Sequence, residues 1–214
     1  MKSKINLLEQ IKSLPYFSKD SVCQLGKQLG LASATVDTYI SRFLKHKEIF
    51  RLKKGLYISA DFFNKNRSDI SYSFYLANII RTPSYISSWS ALQFYNLTTE
   101  IICIITSVTP KVTRNYTTKA GNFTYNSIKK GLFSDFSLMK GKVAGERSTR
   151  LDFFIASPAK ALFDLLYFKT NQFRGVKFKD IKTLVEELRI DIDEMDKKEQ
   201  LKFYAMTKEY INHE

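Results

Sequence analysis

Ser33-Ala34-Thr35-Val36-Asp37-Thr38-Tyr39-Ile40-Ser41-Arg42-Phe43-Leu44-Lys45, followed after His46-Lys47-Glu48 by Ile49-Phe50-Arg51-Leu52-Lys53-Lys54-Gly55-Leu56-Tyr57-Ile58, is the stretch that decides the N-terminal fold. Val36, Ile40, Phe43 and Leu44 fall at i, i+4, i+7 and i+8, the stripe of a helix that must face a core. At about 100° per residue the opposite face carries Ala34, Thr38, Ser41 and Lys45, flanked by Thr35 and Arg42. Small and hydroxyl side chains come first and cations last. That order suits a major groove, where small residues allow close approach and Arg or Lys reaches guanine or phosphate. Ser33 is the N-cap candidate. The second run reads as two short strands around a turn containing Gly55, a hairpin with a basic tip.

Working outward, Ile5, Leu7, Leu8 and Ile11 mark a first helix that stops at Leu14-Pro15, because proline disfavours helix in the residue before it. Ser18 can cap a second helix through Val22, Leu25 and Leu29, and Gly30 supplies a left-handed C-cap. Helix, helix-turn-helix and basic hairpin define a winged helix-turn-helix over residues 1–67. Its expected DNA contacts are Thr35, Thr38, Ser41, Arg42 and Lys45 on the recognition helix, with Arg51, Lys53 and Lys54 on the wing. The polar, basic surface of the third helix argues against the same fold used only for protein contacts.

The charge distribution agrees. The chain has 214 residues and a net charge of +13, with 44% hydrophobic residues, enough for a folded core. Residues 1–67 hold 13 Lys and Arg against 5 Asp and Glu, and residues 111–150 hold 9 against 2; the intervening and final segments are near neutral. The basic residues of the second segment, Lys111, Arg114, Lys119, Lys129, Lys130, Lys140, Lys142, Arg147 and Arg150, form a possible second DNA surface. The longest apolar run, Ile101 to Ile105, is far short of a membrane span, and no signal-peptide pattern opens the sequence. Two cysteines, Cys23 and Cys103, make no disulfide framework. A cytoplasmic protein without membrane attachment is expected.

Residues 59–70 read as a linker into a second unit, 68–214, of mixed α/β character with a central, largely antiparallel sheet and a helical C-terminus. Ser71 to Arg81 and the segment after Ser87 or Ser88, carrying Trp89, Leu92 and Tyr95, read as core helices. Strand candidates are Ile101 to Val108, Val112 to Thr118, Asn122 to Asn126, Leu132 to Leu138 and Arg150 to Ala156. Ser157-Pro158 starts a helix to Phe168, and Ile181 to Leu188 and Leu201 to Ile211 mark two more. The fold class is therefore α+β.

Catalytic chemistry finds no positive support, and no cofactor is implied. His46 and His213 are the only histidines, too separated for a triad or zinc cluster. Gly141-Lys142-Val143-Ala144-Gly145-Glu146-Arg147 is not a phosphate-binding loop and reads as a hairpin turn. Asp135 and Asp152 mimic a metal-nuclease pair only loosely. Cys23 and Cys103 read as small core residues. Tyr85, Trp89, Tyr95, Tyr116, Phe123 and Tyr125 could stack bases, although strand alternation places most of them inward.

The order of motifs resembles a known family. Leu14-Pro15-Tyr16-Phe17-Ser18, Thr35 to Arg42 and Lys53-Lys54-Gly55-Leu56-Tyr57 resemble the winged helix of AbiEi-type antitoxins of bacterial abortive-infection systems. Pro83-Ser84-Tyr85-Ile86-Ser87, Ser90-Ala91-Leu92, Thr106 to Thr113, Gly121 to Tyr125 and Ser157 to Asp164 are similar to that family's second domain. The resemblance covers most of residues 14–168. It departs at Ala159, where an acidic residue is expected. It implies a type IV toxin–antitoxin arrangement with a nucleotidyltransferase-like toxin as functional partner. It also implies autorepression through inverted repeats in the operon's promoter; two protomers on such a repeat can assemble on DNA alone, so a monomer in solution or a DNA-assembled dimer is expected. The alternative is an effector-sensing winged-helix regulator.

Overall fold

The computed structural model describes residues 2–141 and 150–212. The fold is α+β, with nine α-helices and two sheets among the described residues. Lys142 and Arg147, the turn at 141–147 and His213 lie wholly or largely outside them.

The first elements are α1 (Lys2–Lys12), β1 (Phe17–Ser18), α2 (Lys19–Gln28), α3 (Ser33–Lys45), β2 (Ile49–Lys53) and β3 (Leu56–Ser59). Ser18 caps α2 as expected, its Oγ accepting from the Ser21 amide at 3.0 Å. Gly30 follows α2 at φ +72°, the left-handed conformation that ends a helix without a Cβ penalty. The start of α3 differs from expectation: Ser33 is inside the helix, and Ala32 occupies the cap position without a side-chain bond. Val36, Ile40 and Phe43 are buried with Leu7, Ile11, Phe17, Val22, Ile49 and Tyr57 in one core. A Cβ at Gly26 would overlap Val36 Cγ2, so glycine sets the close approach of α2 to α3.

Strands β1, β3 and β2 form an antiparallel sheet in that order. Every residue of β3 is buried: Tyr57 enters the first core, while Leu56 and Ile58, joined by Leu52, enter a second and larger one. The stretch expected as a linker is instead the helix α4 (Ala60–Asn66). Ser59 caps it, Phe62 packs edge-on against Tyr72, and buried Asn66 donates to the Phe62 carbonyl at 2.8 Å. Burial of Phe62 and Asn66 orders a segment too short to show helical periodicity.

The larger core gathers α5 (Ile70–Ile80), β4 (Tyr85–Ile86), α6 (Ser88–Phe94), β5 (Ile104–Thr109), β6 (Arg114–Thr118), β7 (Gly121–Ser127), β8 (Phe136–Met139), β9 (Phe153–Ala156), α7 (Pro158–Lys169), α8 (Ile181–Glu187) and α9 (Lys197–Asn212). The sheet order is β6-β7-β5-β4-β9-β8. Its pairing is mixed: β5 runs parallel to β7 and β4 parallel to β9, and the other neighbours are antiparallel. Part of the strand expected at 132–138 is a 3₁₀ turn, and Cys103, expected inside, is exposed just before β5 begins. Tyr85, Phe123 and Tyr125 are core residues, whereas Trp89, Tyr95 and Tyr116 are half-buried.

Two-residue β4 sits at the sheet's centre because side chains hold it. Asp164 on α7 is wholly buried and accepts from Tyr85 Oη at 3.0 Å and Ser87 Oγ at 2.7 Å, and its other oxygen meets the equally buried Lys160 ammonium. Burial pushes the Asp164 carboxyl above its ordinary value, opposed by Lys160, Ser87 and Tyr85. Tyr85 also stacks on Phe136 at 4.6 Å. At the start of α7, Glu199 of α9 accepts from the Ala159 amide at 3.0 Å. Asp164→Ala should destabilise the protein by about 3–5 kcal/mol in urea unfolding, since it strands a buried ammonium, whereas Lys160→Met with Asp164→Leu should lose less. A larger loss in the double variant would contradict the pair's assigned role.

Candidate nucleic-acid interface

Helix α3 exposes Ala34, Thr38, Ser41, Arg42 and Lys45, with Thr35 half-buried, directly opposite its buried stripe. The hydroxyls are oriented by the helix itself: Thr38 Oγ1 donates to the Ala34 carbonyl and Ser41 Oγ to the Asp37 carbonyl, both at 3.0 Å. Their lone pairs are left for an outside donor. The acid on this face, Asp37, is paired with Lys19 of α2 at 2.9 Å. Arg42 and Lys45 stand in the last turn, where the helix dipole favours cations. Neither pairs with a carboxylate among the described residues.

The β2–β3 turn is short, with Gly55 at φ +76° and Lys54 exposed at its tip. It is fastened on two sides. The Lys19 amide donates to the Gly55 carbonyl at 2.9 Å, and the Lys53 ammonium donates to the Ile80 carbonyl at the end of α5. The two hairpin lysines therefore separate: Lys54 faces solvent, and Lys53 is spent on holding the hairpin against α5.

Strand β6 is the sheet edge that meets β2. Between them lies an open cleft of about 750 Å³ lined by Leu44, Lys47, Phe50, Arg51, Thr117 and Lys119, among others. Arg51 of the first basic segment and Lys119 of the second thus share one concave surface. Lys47 joins them, a residue sequence reasoning passed over. Its signal is backbone conformation, φ +57° just after α3, which turns the chain into β2.

The second basic segment does not form one surface. Arg114 and Lys119 lie on or beside β6, Lys111 is exposed in the connection from β5 to β6, and Lys129 and Lys130 are exposed where the chain leaves β7. Lys111 donates to the Thr82 carbonyl at 2.6 Å, and Lys129 to Tyr210 Oη at 3.1 Å. Lys140 and Arg150 flank β8 and β9 at the opposite edge, five strand spacings or about 24 Å from β6. The chain crosses the whole sheet between them, which a count along the sequence does not register.

The loose carboxylate pair separates similarly. The antiparallel β8–β9 register puts Asp135 and Asp152 at opposite ends of that ladder. Asp135 is paired with Lys202 at 2.7 Å. Among the described residues no group of three His, Cys, Asp or Glu is placed to hold a metal ion, and no helix is long and apolar enough to cross a membrane.

The different engagements of Lys53 and Lys54 give an expected outcome. Lys53→Met should lower unfolding stability by about 1 kcal/mol through loss of its bond to Ile80, while Lys54→Met should stay within about 0.5 kcal/mol of the parent. Equal effects in thermal and urea unfolding would contradict the assignment.

Neither known protein families nor curated proteins give a match to this chain, so the chemistry of these surfaces is what bears on its role.

Proposed function

We propose that residues 1–67 act as a winged helix-turn-helix that binds double-stranded DNA, and that the protein is a cytoplasmic antitoxin and autorepressor of the AbiEi type. The observation that carries the DNA-binding part is the face of α3: Thr38, Ser41, Arg42 and Lys45 exposed and, among the described residues, unpaired with carboxylates, on a helix anchored by Val36, Ile40 and Phe43. In this reading Thr35, Thr38, Ser41 and Arg42 face base edges, Lys45 reaches the backbone, and Arg51 and Lys54 contact flanking phosphates. Lys53 positions the hairpin. Residues 68–214 present Lys119 in the cleft with Arg51 and carry or assist the antitoxic function against a nucleotidyltransferase-like toxin. Two protomers on an inverted repeat would place their α3 helices one DNA turn apart, about 34 Å.

A mobility-shift titration on DNA from upstream of the protein's own reading frame, against random duplex at two salt concentrations, tests the reading. Thr38→Ala or Arg42→Gln should cost about 1–3 kcal/mol on the preferred duplex and much less on random DNA. Lys54→Gln should weaken both alike and flatten the salt slope by about 0.9. Equal losses on both duplexes for every substitution would rule out base reading by α3.

A further inference from the structure

Residues 68–110 contain a single basic side chain, Arg81, and the fold buries it. Arg81 follows the last turn of α5 and is 9% exposed. One terminal nitrogen donates to the Val112 carbonyl at 2.5 Å, and its Nε is buried without a hydrogen-bond partner. No carboxylate pairs with it among the described residues. A guanidinium taken out of water costs several kcal/mol unless an anion compensates it, and the described residues provide none.

Other cations gather at the same place. The carbonyls on either side of Arg81, those of Ile80 and Thr82, accept from Lys53 and Lys111. Arg81 is fastened to the Val112 carbonyl, two residues before Arg114, which is exposed at the start of β6, and Tyr116 packs edge-on against Tyr125, whose hydroxyl donates to the Ala77 carbonyl one turn before Arg81. Partial burial raises the Tyr116 phenol, but the two guanidiniums outweigh it and hold the phenol below its ordinary value. Lys53, Arg81, Lys111 and Arg114 thus converge without one acidic side chain pairing any of them among the described residues.

We propose that Arg81, Arg114 and Tyr116, with Lys111 beside them, form a binding site for a phosphate group. Phosphate fits because its several oxygens accept from a planar guanidinium fork and a second cation at once. Arg114 makes the contact, and Arg81, fastened to the Val112 carbonyl two residues before Arg114, is the buried positioning residue. The expected source is the DNA backbone, so this part rests on the reading given above. Arg114 and Lys119 mark the start of β6 and the residue after its end, about 17 Å apart, and Lys119 lines the cleft with Arg51 and Lys47. Cations spaced along an edge strand suit a polyanion with repeated charges better than one small anion.

The test is fluorescence-anisotropy titration of the full chain with a random-sequence duplex over a salt series, together with thermal midpoints in the presence of inorganic pyrophosphate. Arg114 is exposed, so Arg114→Gln should fold normally; it should lose about tenfold in affinity and flatten the salt slope by about 0.9. Arg81→Lys keeps the charge but loses the guanidinium fork that positions Arg114, so it should lower affinity with a salt slope close to the parent's, and Lys182→Gln on α8 should change neither quantity. If the parent binds duplex and Arg114→Gln binds it with the same affinity and slope, the phosphate site is overturned while DNA binding stands. If the parent binds no duplex but pyrophosphate raises its midpoint and not that of Arg114→Gln, the site stands with a small phosphorylated ligand and the DNA reading fails. Absence of both effects in the parent overturns both.

Discussion

Burial of β3 on both faces is the constraint on which the rest of the structure depends. Alternate residues of a strand point to opposite sides, so Tyr57 completes the core around α1–α3 while Leu56 and Ile58 complete the core of the larger sheet. A slip of one residue would exchange those sets and disrupt two cores together. The register is pinned at its turn by the Lys19 amide on Gly55 and by Lys53 on Ile80, and at its far end by Ser59, which caps α4. The hydroxyl of Tyr72 on α5 adds a further tie, donating to the Pro15 carbonyl at 2.8 Å. The exposed face of α3 is therefore referred to the β6 edge through packed side chains, and the cleft between β2 and β6 follows from the same packing.

Electrostatics then divides the cations by task. Lys160 is neutralised internally by Asp164, Lys19 by Asp37 and Lys202 by Asp135. Lys53 and Lys111 are turned to backbone carbonyls, and Arg81 is held inside by Val112. Arg42, Lys45, Arg51 and Lys54 pair with no carboxylate among the described residues. Four cations of residues 1–67 thus stand unneutralised on one side of α3 and on the hairpin beside it, where a polyanion would meet them.

Much of the fold was legible because its signals are local. The stripe of α3, the Ser18 cap and Gly30 stop of α2, the Ser157-Pro158 start of α7 and the strand at β7 each depend on a few neighbouring residues. Two-residue strands carry no periodicity, so β1 and β4 emerge only from partners: Phe17 opposite Tyr57, and Ile86 between Ser107 and Ile155. Helix α4 hid behind the polar composition of 59–70. The site was legible in part. The face of α3 was readable from spacing, but the separation of Lys53 from Lys54, the meeting of Arg51 with Lys119 and the scattering of the second basic segment over two sheet edges are properties of strand order. Arg81 left one trace, as the sole cation in a charge-poor stretch, and only its burial gives that trace meaning.

Amide hydrogen exchange of the full chain, with and without the duplex from upstream of its own reading frame, is the most direct measurement of whether α3, the hairpin and β6 face one ligand. Slowed exchange on DNA at residues 33–58 together with 111–119, and unchanged exchange in α8 and α9, is the predicted result. Protection that spares 33–45, or that appears only within 150–212, would contradict it.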